Sequence, residues 1–192
     1  MSKAAEATLV YGGSFDPPHV AHVLSVAYAL AVEPFERVIV VPVCEHAFPK
    51  RPVAFEHRAR MCELAFTDFE HVEVSRIEAE LSKPNRTVST LKRLLADHPS
   101  YRLRLLIGSD VLGDAGKWQA FDEVQRLAPP LVVARHGFER PEYGPPPVPN
   151  ISSTELRELL RERGSEDVDA RLRRWLPWRV LEYIDDNGLY RG

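Results

Sequence analysis

Short apolar runs alternate with amphipathic runs along most of the chain, and that alternation restricts the fold more than any other feature. Strands are expected at residues 7–12, Arg37–Val43, His71–Ser75, Arg102–Ile107 and Pro130–Arg135, with a weaker candidate at Val148–Ile151. Helices are expected at Val20–Val32, Phe55–Phe66, Val88–His98, Ala120–Ala128, Thr154–Glu162 and Pro177–Asp186. The run Arg37-Val38-Ile39-Val40-Val41 is rich in β-branched residues, as a strand buried on both faces should be. Repeated strand–helix alternation predicts an α/β fold: a doubly wound, Rossmann-like parallel sheet with C-terminal helices, as one domain over residues 1–192. In such sheets ligands bind beyond the carboxyl ends of the strands, at the switch point.

The stretch Tyr11-Gly12-Gly13-Ser14-Phe15-Asp16-Pro17-Pro18-His19-Val20-Ala21-His22 falls at such a strand end. Gly12 and Gly13 lack a Cβ and let a ligand come close to the backbone. His19 and His22 are three apart, which on a first helical turn places them on one face. Free amides and the dipole of a helix start attract anions, and paired imidazoles strengthen the attraction. Asp16 before two prolines reads as a turn former, and Phe15 reads as core. Farther on, Ser152, Ser153 and Thr154 precede a helical run, with Glu155 three after Ser152. That is a capping box, and also a cradle for phosphate, with Arg157 one turn in.

Composition narrows the partners. The 192 residues carry 44% hydrophobic and 28% charged residues, ordinary for a globular chain. Net charge is −3, so no strong global field favours nucleic acid, and cationic groups must be local if the ligand is an anion. Cys44 and Cys62 lack metal-ligand spacing and read as reduced thiols. The residues MSKAAEATLV lack a signal-peptide core and no run is long enough to span a bilayer, so a cytoplasmic protein without membrane contact is expected. The proline-dense loop Arg140–Pro149 reads as a surface crossover delivering the chain to Ile151. Arg171, Arg173 and Arg174 read as a solvated helix face.

The two long motifs resemble the signatures of the nucleotidyltransferase superfamily: GSFDPPHVAH is similar to its (G/T)-x-F-D-P-x-H-x-G-H pattern, and Ile151-Ser152-Ser153-Thr154-Glu155-Leu156-Arg157 to its ISSTxxR pattern. Lys50 with Arg58 and Met61, Gly108 with Asp110, Lys117-Trp118, Arg135, Tyr183-Ile184 and Gly188-Leu189-Tyr190 follow in the order seen in bacterial nicotinate-nucleotide adenylyltransferases. The resemblance implies transfer of the adenylyl group of ATP to nicotinate mononucleotide, in NAD biosynthesis, with Mg²⁺ held on the ATP phosphates and no protein metal site. It implies catalytic roles for His19, His22, Lys50 and Arg157. It implies ATP contacts by Gly12, Gly13, Ser14, Phe15, Asp16, Gly108, Asp110, Arg135, Ile151, Ser152, Ser153 and Thr154. Gly108 and Asp110 would face the adenosine ribose, and Arg135 the adenine. Trp118 would stack on the pyridine ring, with Arg86 and Thr87 also on the substrate side.

Two departures bear on this. Ala21 stands where the family pattern has glycine, which favours the helix but adds a methyl near the nucleotide. Family members carry S-Y-T-x-D-T-L near the pyridine; here Asn85-Arg86-Thr87-Val88-Ser89-Thr90-Leu91 replaces the tyrosine by Arg86 and the aspartate by Ser89. Arg86 would pair with the carboxylate that separates nicotinate from nicotinamide, or else point into solvent. The rival readings are a sister enzyme acting on nicotinamide mononucleotide or phosphopantetheine, and a nucleotide-binding module without catalysis. A homo-oligomer is left open.

Overall fold

The structure is a computed structural model that describes residues 5–45, 52–83, 86–113 and 120–191. Five parallel strands form the sheet: β1 (Glu6–Gly13), β2 (Arg37–Pro42), β3 (Val72–Val74), β4 (Tyr101–Gly108) and β5 (Pro130–Val133), in the order β3-β2-β1-β4-β5. The chain builds outward from β1 on one side, then returns to β1's other edge with β4. The doubly wound expectation is met, and the switch point lies between β1 and β4.

Side-chain alternation explains why the sheet is covered on both faces. Leu9, Val38, Val40 and Leu106 enter one core, whereas Val10, Ile39, Val41 and Leu105 enter the other. The helices are α1 (Val20–Val32), α2 (Phe55–Ala65), α3 (Thr87–Asp97), α4 (Ser109–Gly113), α5 (Phe121–Leu127), α6 (Ser153–Arg161), α7 (Glu166–Trp175) and α8 (Trp178–Asp186). Residues of α1, α2, α6, α7 and α8 pack in the first core, and residues of α3 and α5 in the second. The buried positions of α1 are Ala21, Ser25, Val26 and Ala29. These small side chains allow the helix close to the sheet, so Ala21 serves packing as well as helix propensity. Leu156, Leu159 and Leu160 are the helical stripe that α6 buries.

One expectation needs correction. Val148–Ile151 is not a strand. Val148 and Ile151 are buried, but Pro147 and Pro149 flank Val148 and cannot donate to a ladder, and Ile151 N–H turns back to the Pro149 carbonyl at 3.1 Å. The solvated helix face expected at Arg171, Arg173 and Arg174 is present: all three are exposed on α7, which the Ser165 hydroxyl caps at the Val168 amide and which buries Leu172.

The loops above the sheet are held by a buried cation. Arg58, on α2, is 1% exposed and donates to the carbonyls of Val53 and Ser14, each at 2.8 Å, and of Cys44 at 3.4 Å. Burial lowers its pKa, an opposition that Asp16 partly offsets. Arg58→Met would strand three carbonyls and should lower unfolding free energy by about 3 kcal/mol, read from urea melts; a loss under about 1 kcal/mol would contradict the role given to this side chain.

Candidate active site

The strand ends at the switch point shape the site. Gly12, at the end of β1, has open space where a Cβ would stand. Gly108, at the end of β4, has none: a Cβ there would collide with the Asp110 carboxylate. These glycines, with Tyr11, His22, Ser25, Asp110, Val111, Val133 and Arg135, line a pocket of about 200 Å³ floored by Leu106 and Ile107. Here the residues expected to face adenosine do lie together. Ser109 fixes the far wall, because its hydroxyl accepts from the Arg135 amide at 2.9 Å.

The paired imidazoles stand at the start of α1. His19 is the residue before the first helical turn, with extended backbone (φ −143°, ψ 174°), and His22 lies one turn in. Their ring centroids are 3.8 Å apart. The His19 backbone N–H donates to His22 Nδ1 at 3.1 Å. That bond requires Nδ1 to be bare, so the neutral His22 ring carries its proton on Nε2. The Phe15 ring meets His22 edge-on at 5.0 Å and Tyr11 at 5.3 Å. Phe15 itself has φ +47° and is 1% exposed. Its side chain is therefore core, as its apolar character implied, and any ligand contact by Phe15 falls to its backbone.

His19 is 2% exposed, and its Nδ1 is buried with no partner among the described residues. Such an atom costs about 1–3 kcal/mol to leave unsatisfied. Burial, then the Arg135 charge, push the His19 pKa down to about 3. Burial, then His19, then Arg135 hold His22 well below the ordinary histidine range. Both rings are neutral donors and acceptors near pH 7.

The second motif arrives from across the chain. The Ser152 hydroxyl accepts from the Glu155 amide at 3.2 Å, so it caps α6 as its spacing predicts. Ser153 donates its hydroxyl hydrogen to the Pro17 carbonyl at 2.9 Å. Arg157 donates to the Asp16 carbonyl at 2.7 Å through Nη1 and to the Thr154 hydroxyl at 3.1 Å through Nη2. Arg135 reaches the Ile151 carbonyl at 3.2 Å. The start of α6 is thus fastened to the turn that leads into α1 and to the pocket wall. Ser153 and Arg157 meet the turn two and three residues before His19, and Arg135, which lines the pocket with His22, meets Ile151.

Asp16 was read as a turn former with a share in ligand contact. Its side chain is engaged by protein: Oδ1 accepts from the Tyr190 hydroxyl at 2.7 Å and the Val53 amide at 3.3 Å, and Oδ2 lies 3.7 Å from Arg157 Nη1. Among the described residues, no three His, Cys, Asp or Glu side chains form a metal-ligand cluster. Arg86 is exposed and precedes α3, and Thr87 opens that helix. Thr90 of the same segment donates to Glu78 Oε1 at 3.0 Å, and Glu78 Oε2 accepts from the Cys44 amide at 3.0 Å. This ties the start of α3 to the chain leaving β2. Lys50 and Trp118 lie outside the described residues. Tyr11 and Ser25 were not singled out as site residues from sequence. Ser25 is detectable after the fact as the residue one turn beyond His22 on the same helix face.

Comparison with known proteins shows the family and the fold. The cytidylyltransferase-like family model matches residues 10–159. A protein of Anaeromyxobacter sp. (strain K) is 43% identical over all of both chains, and one of Myxococcus xanthus (strain DK1622) is 37% identical over 99% of this chain and 97% of its own; each is named a probable nicotinate-nucleotide adenylyltransferase. In fold, the chain superposes with a TM-score of 0.79 on a Plasmodium falciparum nicotinic acid mononucleotide adenylyltransferase complexed with NaAD, 20% identical, covering 96% of this chain and 97% of that one.

The lowered histidine pKa values predict a pH effect on stability. Between about pH 6.5 and 3 the unfolded imidazole takes up a proton that the folded His19 refuses, so stability falls as pH falls through that window. His19→Asn should flatten the dependence of unfolding free energy on pH between about 6.5 and 5 in denaturant melts. Parallel curves for variant and wild type would contradict a buried neutral His19.

Proposed function

Because the chain belongs to the cytidylyltransferase-like family and, within it, to the nicotinate-nucleotide adenylyltransferases, we propose that it transfers the adenylyl group of ATP to nicotinate mononucleotide, releasing pyrophosphate and nicotinate adenine dinucleotide. The observation that carries the site assignment is the buried His19 Nδ1, without a partner among the described residues, beside the His22 imidazole at a helix start. Burying that nitrogen with no partner among those residues makes sense if a ligand completes the set.

The chemistry needs no protein nucleophile. An oxygen of the substrate's 5′-phosphate attacks the α-phosphorus of ATP. The bond from that phosphorus to the bridging oxygen breaks, and its electrons leave with pyrophosphate. The protein's work is to align two anions and to stabilise charge that grows on phosphoryl oxygens. His22 Nε2–H and His19 donate to those oxygens. Arg157 with the Thr154 hydroxyl and the amides at the start of α6 takes the leaving β- and γ-phosphates. The pocket between Gly12, Gly108, Asp110 and Arg135 receives the adenosine, with Asp110 on the ribose. Ser14, Ile151 and Ser152 contribute through backbone or cap contacts. Mg²⁺ enters on the phosphates of ATP; the engaged Asp16 carboxylate is consistent with an ion that keeps phosphate and water ligands. Lys50 and Trp118 are assigned to phosphate and pyridine on the motif match alone.

Arg86 is assigned to the carboxylate of the nicotinate ring, with Thr87 beside it. Its exposure supports this, and so does the chain of bonds from Thr90 through Glu78 to Cys44, which holds its helix start at the sheet's ligand edge. A planar fork would pair with an acid and gain little from an amide.

Mixing the protein with Mg²⁺, ATP and nicotinate mononucleotide should release pyrophosphate, and His22→Ala should lower kcat about a hundredfold or more. No release with this substrate, or equal rates in the variant, would refute the reading; turnover only with phosphopantetheine would favour a sister enzyme. Arg86→Ala should lower the ratio of kcat/KM for the acid over the amide mononucleotide by about tenfold, and an unchanged ratio would return Arg86 to solvent.

A further inference from the structure

Tyr190 lies beyond the last helix, far in sequence from both motifs, yet its hydroxyl donates to Asp16 Oδ1 at 2.7 Å. The chain gets there because Gly188, two residues past the end of α8, has φ +60° and turns the backbone sharply. The Leu189 amide closes that turn on the Ile184 carbonyl at 3.0 Å. Asp16 therefore gathers three distant parts of the chain. Tyr190 and the Val53 amide hold Oδ1, and Oδ2 faces Arg157 Nη1 at 3.7 Å. The same Nη1 donates to the Asp16 carbonyl at 2.7 Å. The separation from Oδ2 exceeds a hydrogen bond, so Arg157 is near the carboxylate without being bound up by it.

We propose that Tyr190 is a positioning residue for adenylyl transfer: it holds the Asp16 carboxylate away from Arg157, so that the guanidinium stays available to the triphosphate. This rests on the adenylyltransferase reading above. Without the phenolic donor, Oδ1 loses its shorter bond, and the cation nearest the carboxylate among the described residues is Arg157. Rotation toward it would make a direct ion pair and draw the arginine off the nucleotide. Burial and the Asp16 charge both hold the Tyr190 hydroxyl above the ordinary phenol range, so it remains a donor at every pH at which the enzyme works. Tyr183 supplies an internal control. It also sits in the C-terminal helices and bonds through its hydroxyl, to His57 Nδ1 at 2.9 Å, but it does not touch Asp16.

The test compares wild type, Tyr190→Phe, Tyr183→Phe, Arg157→Lys and the Tyr190→Phe/Arg157→Lys double variant, with ATP and nicotinate mononucleotide varied in turn. Tyr190→Phe should lower kcat/KM for ATP about tenfold, mostly through KM, and change KM for nicotinate mononucleotide less than about twofold. Tyr183→Phe should match wild type. On the Arg157→Lys background the tyrosine change should add less than about twofold, because the two act as one unit. An unchanged ATP constant, an equal loss for both substrates, the same loss in Tyr183→Phe, or a fully additive double variant would each overturn the inference. Should Tyr190→Phe fail to fold, Tyr190→Phe is read on the Asp16→Asn background, where no carboxylate is left to capture Arg157: its KM for ATP should lie within about twofold of that of Asp16→Asn alone, and a rise of about tenfold over Asp16→Asn would overturn the inference. A wild type that makes no product refutes the adenylyltransferase reading instead, and calorimetric ATP affinity of the same variants then decides the role of Tyr190.

Discussion

One junction organises the molecule: the turn at Asp16 and Pro17 is gripped by the start of α6. Ser153 takes the Pro17 carbonyl and Arg157 takes the Asp16 carbonyl. Those carbonyls lie two and three residues before His19, so the grip sets where α1 begins and where its imidazoles stand. The segments that meet are more than a hundred residues apart, joined by |i−j| of 136 and 141. Closing so long a loop costs entropy, and the fold recovers it by burying α6 and α1 in the same core. Packing and site geometry are therefore one event. A chain that failed to seat Leu156, Leu159 and Leu160 would also fail to bring Arg157 to the turn.

The electrostatics follow from that closure. Two neutral, buried imidazoles sit near Arg135, Arg157 holds the turn before them, and the Asp16 carboxylate is occupied by protein donors. A site with this make-up presents hydrogen-bond donors and positive charge beside the Asp110 carboxylate. On the proposed function, those donors are fixed before the phosphates arrive. Net charge of the whole chain, −3, gives no hint of this, since it does not record where Arg135 and Arg157 stand.

The sheet was legible because its signals are local. Val38 to Val41 can only be a strand buried on both faces, and the glycines at residues 12 and 108 fall where strands must stop. The paired histidines and the serine–threonine–arginine cap were legible because their spacing has a helical meaning. Other features were hidden for physical reasons. Val148 and Ile151 look like strand residues but are anchored by proline into an irregular, buried course. Arg58 reads as an ordinary helix arginine, and nothing local says that three loop carbonyls will converge on it. Tyr190 carries no sequence signal of its bond to Asp16, because that partner is 174 residues away and is reached only through the turn at Gly188. Local pattern records periodicity and caps; it does not record which distant backbone atoms a side chain will satisfy.

The most direct test of the central claim is a crystal structure of the protein with Mg²⁺ and a non-hydrolysable ATP analogue. The account predicts adenosine between Gly12, Gly108 and Arg135, and a single triphosphate touching both the His19–His22 pair and the Arg157 end of α6. Density in which the phosphates meet only one of those two motifs, or leave the His19 nitrogen without a partner, would contradict it.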